Sequence, residues 1–190
     1  MTYDQAVEAV AKGEFVPAIT TFLGHLSHDP TDGAAWLYLG IAYSESGHQD
    51  EALKALSHAD ALLQPNAELS EAFGCAYLRK GDVTAARPYF EDALQFDDCP
   101  GSVYRNLSVL LLKAEDLDAA METLQIGLAR TPNDILMLFT KVLVLEAHRQ
   151  NDTEGAVRDQ LQAVLEDILH RPGVPTQLAH IAEQHLATLR

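Results

Sequence analysis

The 190-residue sequence is 47% apolar and carries 28 acidic against 13 basic residues, for a formal net charge of -15. This length supports one sizeable domain or a short array of repeats, and the charge repels phosphate backbones and anionic membranes, which excludes nucleic acid as a natural partner. No low-complexity stretch or long charge run appears, so a compact chain is expected throughout.

The chain opens on "MTYDQAVEAVAKGEF", where Asp4, Glu8 and Lys12 break the apolar residues. A secretory signal needs a basic start and an unbroken apolar core, so a cytoplasmic location is expected. Next comes "AAWLYLGIAYSESGHQDEALKAL", residues 34 to 56, with Gly40 inside a helical pattern. Glycine there costs about 1 kcal/mol relative to alanine, a cost tolerated where a second helix passes very close. Gly13, Gly47 and Gly81 stand 34 residues apart, and Glu115 continues the series. Ala18, Ala52, Ala86 and Ala120 keep the same step, as do Phe22, Leu56, Phe90 and Leu124. Between these marks the apolar spacing is helical, so each unit is read as a helix, a short turn and a second helix of about a dozen residues.

After Pro132 the segment "ILMLFTKVLVLEA", 135 to 147, is apolar on almost every side. It is too short to span a bilayer, which takes about 20 residues, so a buried helix is predicted. The polar turn "HRQNDTEG" and a helix from about 154 to 170 complete a divergent fifth pair. Asn133, Asp134 and Thr153 are suited to helix starts. "RPGVP" then breaks the chain, and "TQLAHIAEQHLATLR" sets Leu178, Ile181, Ala182, Leu186 and Leu189 on one stripe of a last amphipathic helix. Repeat arrays expose an apolar face at their end, so this helix is predicted to cap the array on the 154 to 170 helix, with docking of a partner as the sharper alternative.

The period and the residues Trp36, Leu39, Gly40 and Tyr43, followed by Ala52 and Leu56 and then by Gly74, Tyr77, Gly81, Ala86, Phe90 and Ala93, resemble the tetratricopeptide repeat family. The resemblance implies an all-α fold: a right-handed superhelical array of about five helical pairs over residues 1–170, with units 1–32, 33–66, 67–100, 101–134 and a divergent 135–170. A capping helix over 171–190 completes it. It also implies that Gly40 and Gly74 let paired helices approach closely, with Ala52 and Ala86 as the small residues facing them. The first helix of each pair would line a concave groove through Leu37 and Ile41, then Glu71, Cys75 and Leu78, then Arg105, Val109 and Leu112, then Phe139 and Leu143. Phe139, Leu143, Val109 and Leu112 would form the central apolar anchor, with Arg105 and Glu71 setting a polar register. Family members that take acidic chaperone tails use a clamp of lysine, arginine and asparagine. Here only Arg105 and Asn106 stand in such a neighbourhood, with Leu37, Ile41 and Ala72 elsewhere, so that clamp is absent.

The residues offer little chemistry. His25 and His28 lie three apart, as metal ligands on a helix can, but Asp29 begins the following turn and a solvated helix end is the simpler reading. His180 and His185 look like surface positions, and Cys75 reads as a small apolar residue in a core or groove. Cys75 and Cys99 form no CxxC pair, and no disulfide is expected. No phosphate-binding glycine loop or nucleophile motif appears, so neither enzyme activity nor a cofactor is expected. The sequence therefore points to an adaptor or scaffold that takes an apolar partner segment flanked by basic residues. A dedicated chaperone for a secretion or assembly substrate and a self-associating structural subunit are the alternatives.

Overall fold

A computed structural model describes residues 1–149 and 155–189. The described residues form eleven helices and no strand: α1 (Tyr3–Ala11), α2 (Phe15–Leu26), α3 (Gly33–Glu45), α4 (Gln49–Leu62), α5 (Ala67–Lys80), α6 (Val83–Ala93), α7 (Gly101–Lys113), α8 (Leu117–Arg130), α9 (Ile135–Arg149), α10 (Ala156–His170) and α11 (Thr176–Thr188). Most of the polar turn after α9, with Thr153, lies outside the described residues.

The 34-residue step acts through three kinds of position. Ala18, Ala52, Ala86 and Ala120 are fully buried, and so are Phe22, Leu56, Phe90 and Leu124 four residues further on. Each pair sets a small residue and a bulky one on the same face of a second helix, one turn apart. Gly13, Gly47 and Gly81 take positive φ of 79°, 88° and 86°, ending the first helix of each pair in the left-handed region. Glu115 holds the equivalent position at φ 60°, the one non-glycine of that kind among the described residues. Helix starts recur as well. Asp32, Asn66 and Asp134 accept the backbone N–H of Ala35, Leu69 and Met137, while Asp82 and Asp116 do the same for Ala85 and Ala119. Each such cap contributes about 1 kcal/mol. Asn133 does not cap a helix. Its side-chain oxygen accepts from Arg171, which also donates to the Pro132 carbonyl and ion-pairs with Asp167.

The close approach expected at Gly40 is present. A Cβ built on Gly40 would lie 2.6 Å from Leu56 Cδ2 and 3.3 Å from the carbonyl oxygen of Ala52. One built on Gly74 would lie 2.7 Å from Phe90 Cε1. In the fourth pair Ser108 stands where Gly40 and Gly74 stand in the second and third. It is fully buried, and its hydroxyl donates to the Tyr104 carbonyl one turn back, at 2.7 Å.

The chain divides into two compact units, Met1–Val103 and Tyr104–Arg190, with the division inside α7. In the first unit, α2 packs on α1 and α3, α4 on α3 and α5, and α5 on α6. One core cluster gathers Ala6, Ala9, Ala18, Phe22, Ala35 and Leu39, and another gathers Leu37, Leu56, Leu69, Phe73 and Ala76. In the second unit α9 packs on α8 and α10, and α10 on α11. Its core joins Leu138, Val142, Leu145, Leu161, Leu165 and Ile168 to Ala182 of α11 and to Leu189 just past its end. Of the stripe on α11, Ala182 and Leu189 are buried and Leu186 packs against the same core, whereas Leu178 and Ile181 are only half-buried. Among the described residues no helix is long and apolar enough to cross a membrane.

Candidate functional site

In the first unit, α3 and α5 are the first helices of successive pairs and pack on each other. Their shared face holds a hollow of about 230 Å³ lined by Ile41, Ser44, Glu45, Glu68, Glu71, Ala72 and Cys75. Three of the residues expected from the sequence, Ile41, Glu71 and Cys75, therefore meet here. The lining joins apolar Ile41, Ala72 and Cys75 to three carboxylates, those of Glu45, Glu68 and Glu71.

Helical phase explains the arrangement. Ile41 is followed one turn later by Glu45, while Glu68, Glu71 and Cys75 step along one side of α5 at intervals of three and four. The Arg79 guanidinium ion-pairs with Glu45 at 2.6 Å across the two helices, and Lys80 reaches Asp50 at 2.8 Å. Burial pushes the Cys75 thiol up to about 11, with the Glu71 charge adding to the effect and Arg79 opposing it. At neutral pH Cys75 is thus a protonated, soft apolar surface rather than a nucleophile. Burial, and secondarily the charge of Glu68, also raises the Tyr38 hydroxyl above its ordinary value.

Leu37 is a correction. It is 4% exposed and packs in the core with Leu56, Leu69 and Phe73, so it does not line the hollow. Helix α3 buries apolar residues on several faces, and the face of Leu37 is covered by its own neighbours rather than left open. Leu78 is half-buried at the far end of α5. A second hollow of about 410 Å³, unforeseen in the sequence, adjoins the first. Asn66, Ala67, Glu68, Glu71, Asp98 and Pro100 line it, so Glu68 and Glu71 are common to both.

In the second unit, Arg105 stands 3.8 Å from Asp134, which also caps α9. Val109 and Leu112 are half-buried, and Phe139 packs against the α9–α10 core. Leu143 is 51% exposed and borders a separate hollow of about 460 Å³ with Glu146, Arg149, Gln184, His185 and Thr188. His185 is not a plain surface residue: it is half-buried and faces Glu146 at 3.3 Å, and Glu146 also pairs with Arg149. Gly127 is a further packing glycine: a Cβ there would lie 2.7 Å from Met137 Sδ and from Tyr104 Cβ.

His25 pairs with Asp32 at 2.8 Å and His28 contacts the Gly24 carbonyl at 2.9 Å, so both histidines serve the α2–α3 turn. Among the described residues no group of three or more histidine, cysteine or carboxylate side chains could hold a metal ion.

Residues 71–135 match the model of the family described as tetratricopeptide repeat. No curated protein matches the chain in sequence. Among solved structures, the chain is similar to YrrB, described as a TPR protein with an unusual peptide-binding site, at 16% identity and a TM-score of 0.65, over 96% of this chain and 90% of that one. It is similar to MamA at 22% identity and a TM-score of 0.67, over 87% of each chain. It also resembles human IFIT1, solved as a dimer with m7Gppp-AAAA, at 18% identity and a TM-score of 0.70, over 96% of this chain but 44% of that one.

Proposed function

We propose that this chain of tetratricopeptide repeats is a non-enzymatic interaction module, an adaptor or scaffold, that docks an apolar segment of a partner protein in the hollow between α3 and α5. The observation that carries this reading is the hollow itself, open to solvent, whose lining sets the apolar Ile41, Ala72 and Cys75 beside Glu45, Glu68 and Glu71. Such a surface gives affinity through buried apolar anchors and leaves specificity to the charged groups beside them. The family's peptide-binding habit, and the unusual peptide-binding site described for YrrB, agree with it.

A photoreactive benzoyl-phenylalanine in place of Ile41, introduced in living cells, tests it. The expected result is a discrete cross-linked partner that disappears when Cys75→Glu is added and does not form from Val16, which is 73% exposed on α2. Equal cross-linking from Ile41 and Val16 would contradict the reading.

A second reading, a self-associating subunit, is favoured by one observation. Leu136 and Leu143, two turns apart on α9, are each 51% exposed. Sedimentation velocity of wild type against Leu143→Glu decides it: a concentration-dependent oligomer lost in the variant supports self-association, and a monomer throughout excludes it. In either reading α11 serves as the cap on α10.

A further inference from the structure

Resting on the α3–α5 hollow as a docking site, we infer that its occupant presents a basic residue, arginine or lysine, beside an apolar one, with the cation held at the wall formed by Glu68 and Glu71. The hollow is electrically polarised along its length. At one end the Arg79 guanidinium already occupies Glu45 at 2.6 Å, and it lies near enough to Cys75 to pull on the thiol's ionisation. A second cation is repelled from that end.

At the other end Glu68 and Glu71 rise from the start of α5 and line both hollows, and the second hollow adds Asp98 with no basic side chain in its lining. Among the described residues no ion pair engages Glu68, and its charge is felt by the Tyr38 hydroxyl. A lysine or arginine fits this gradient in one orientation. Its methylene stem lies on Ala72 and Ile41 while its head reaches the carboxylate wall, and the neighbouring apolar residue sits over Cys75 toward Arg79. An acidic segment meets like charge at the wall and from a chain of net charge -15, so it is rejected during approach as well as at contact.

The test uses the purified full chain and immobilised peptides in which a pair of leucines is flanked by arginine, lysine, alanine or glutamate. The arginine and lysine peptides are expected to bind about tenfold more tightly than the glutamate peptide, since two partly exposed ion pairs are each worth up to roughly fivefold. That preference should shrink as salt is raised, a readout that needs no variant. Glu68→Gln with Glu71→Gln should level the four peptides while leucine-dependent binding remains. Binding with no basic preference, a preference that survives both the salt and the double substitution, or a preference for glutamate would overturn the inference and leave the hollow standing as a docking site. Failure of every peptide to bind the wild-type chain would remove the docking reading and the inference together.

Discussion

Replacing Gly40 with alanine sets two known effects against each other. Alanine improves helix propensity by about 1 kcal/mol, so an unconstrained α3 would gain stability. The new methyl carbon, however, would sit 2.6 Å and 2.7 Å from the Cδ2 and Cγ of Leu56, with the Ala52 carbonyl oxygen at 3.3 Å on the other side. Leu56 is fully buried and cannot swing into solvent, so α3 and α4 must separate or Leu56 must leave its rotamer. Overpacking of this kind costs about 1–3 kcal/mol, and against the propensity gain a net loss of up to about 2 kcal/mol is expected. For a chain of this size that is a fall in Tm of up to about 8 °C, read by circular dichroism. The partner arm is Leu56→Ala, which should cost about 2–5 kcal/mol by itself through the cavity it leaves. In that background Gly40→Ala should become neutral or stabilising, because the atoms it struck are gone. A stabilising Gly40→Ala in the otherwise native chain, or strictly additive effects in the double variant, would refute the close-contact role of Gly40.

Glu115→Gly should raise stability, since a non-glycine residue in the left-handed region costs about 1–2 kcal/mol and the added backbone entropy returns only part of it. A Tm rise of a few degrees, with the reverse for Gly81→Glu, checks this by thermal melting. Cys75 should react with iodoacetamide on the order of a hundredfold more slowly than an ordinary thiol at pH 8, with a rate that climbs until about pH 11. Between its ordinary value of 9.0 and about 11 the folded chain holds a proton that the unfolded chain gives up, so stability falls as pH rises through that window, and Cys75→Ala should remove that part of the slope. Deleting residues 172–190 uncovers the α10 face that Ala182 and Leu189 bury, and should lower Tm by several degrees and reduce solubility. An unchanged melting curve would instead leave α11 available to a partner.

The sequence made the repeat legible because its marks are residues that packing dictates. The alanines at 18, 52, 86 and 120 and the bulky residues four places later have no room for alternatives, and all eight are fully buried. The turn glycines are legible for a different reason, their left-handed φ, which Glu115 shares at a cost. The site was harder to read. Leu37 and Ile41 lie one turn apart on a helix that is apolar nearly all round, and residue type alone does not say that the first is core and the second is wall. The Glu68–Glu71 wall is common to two hollows only because α3, α5 and the segment around Asp98 converge there, and no spacing along the chain encodes that. His185 with Glu146, and Arg171 with the Pro132 carbonyl, are contacts across more than thirty-five residues that no local pattern announces. Gly127 keeps the 34-residue step of the fully buried Ala59 and Ala93, so the repeat marks a small residue there, but not that its partners are Met137 and Tyr104.

The most direct measurement is a titration of the isotope-labelled full chain with the leucine-arginine peptide, followed by backbone amide NMR. The expected result is a saturable set of shifts at Ile41, Ser44, Glu68, Glu71 and Cys75, with Val16 and Leu23 of α2 unmoved. Shifts that cluster on α2, or that spread evenly over the chain without saturating, would contradict docking in the α3–α5 hollow.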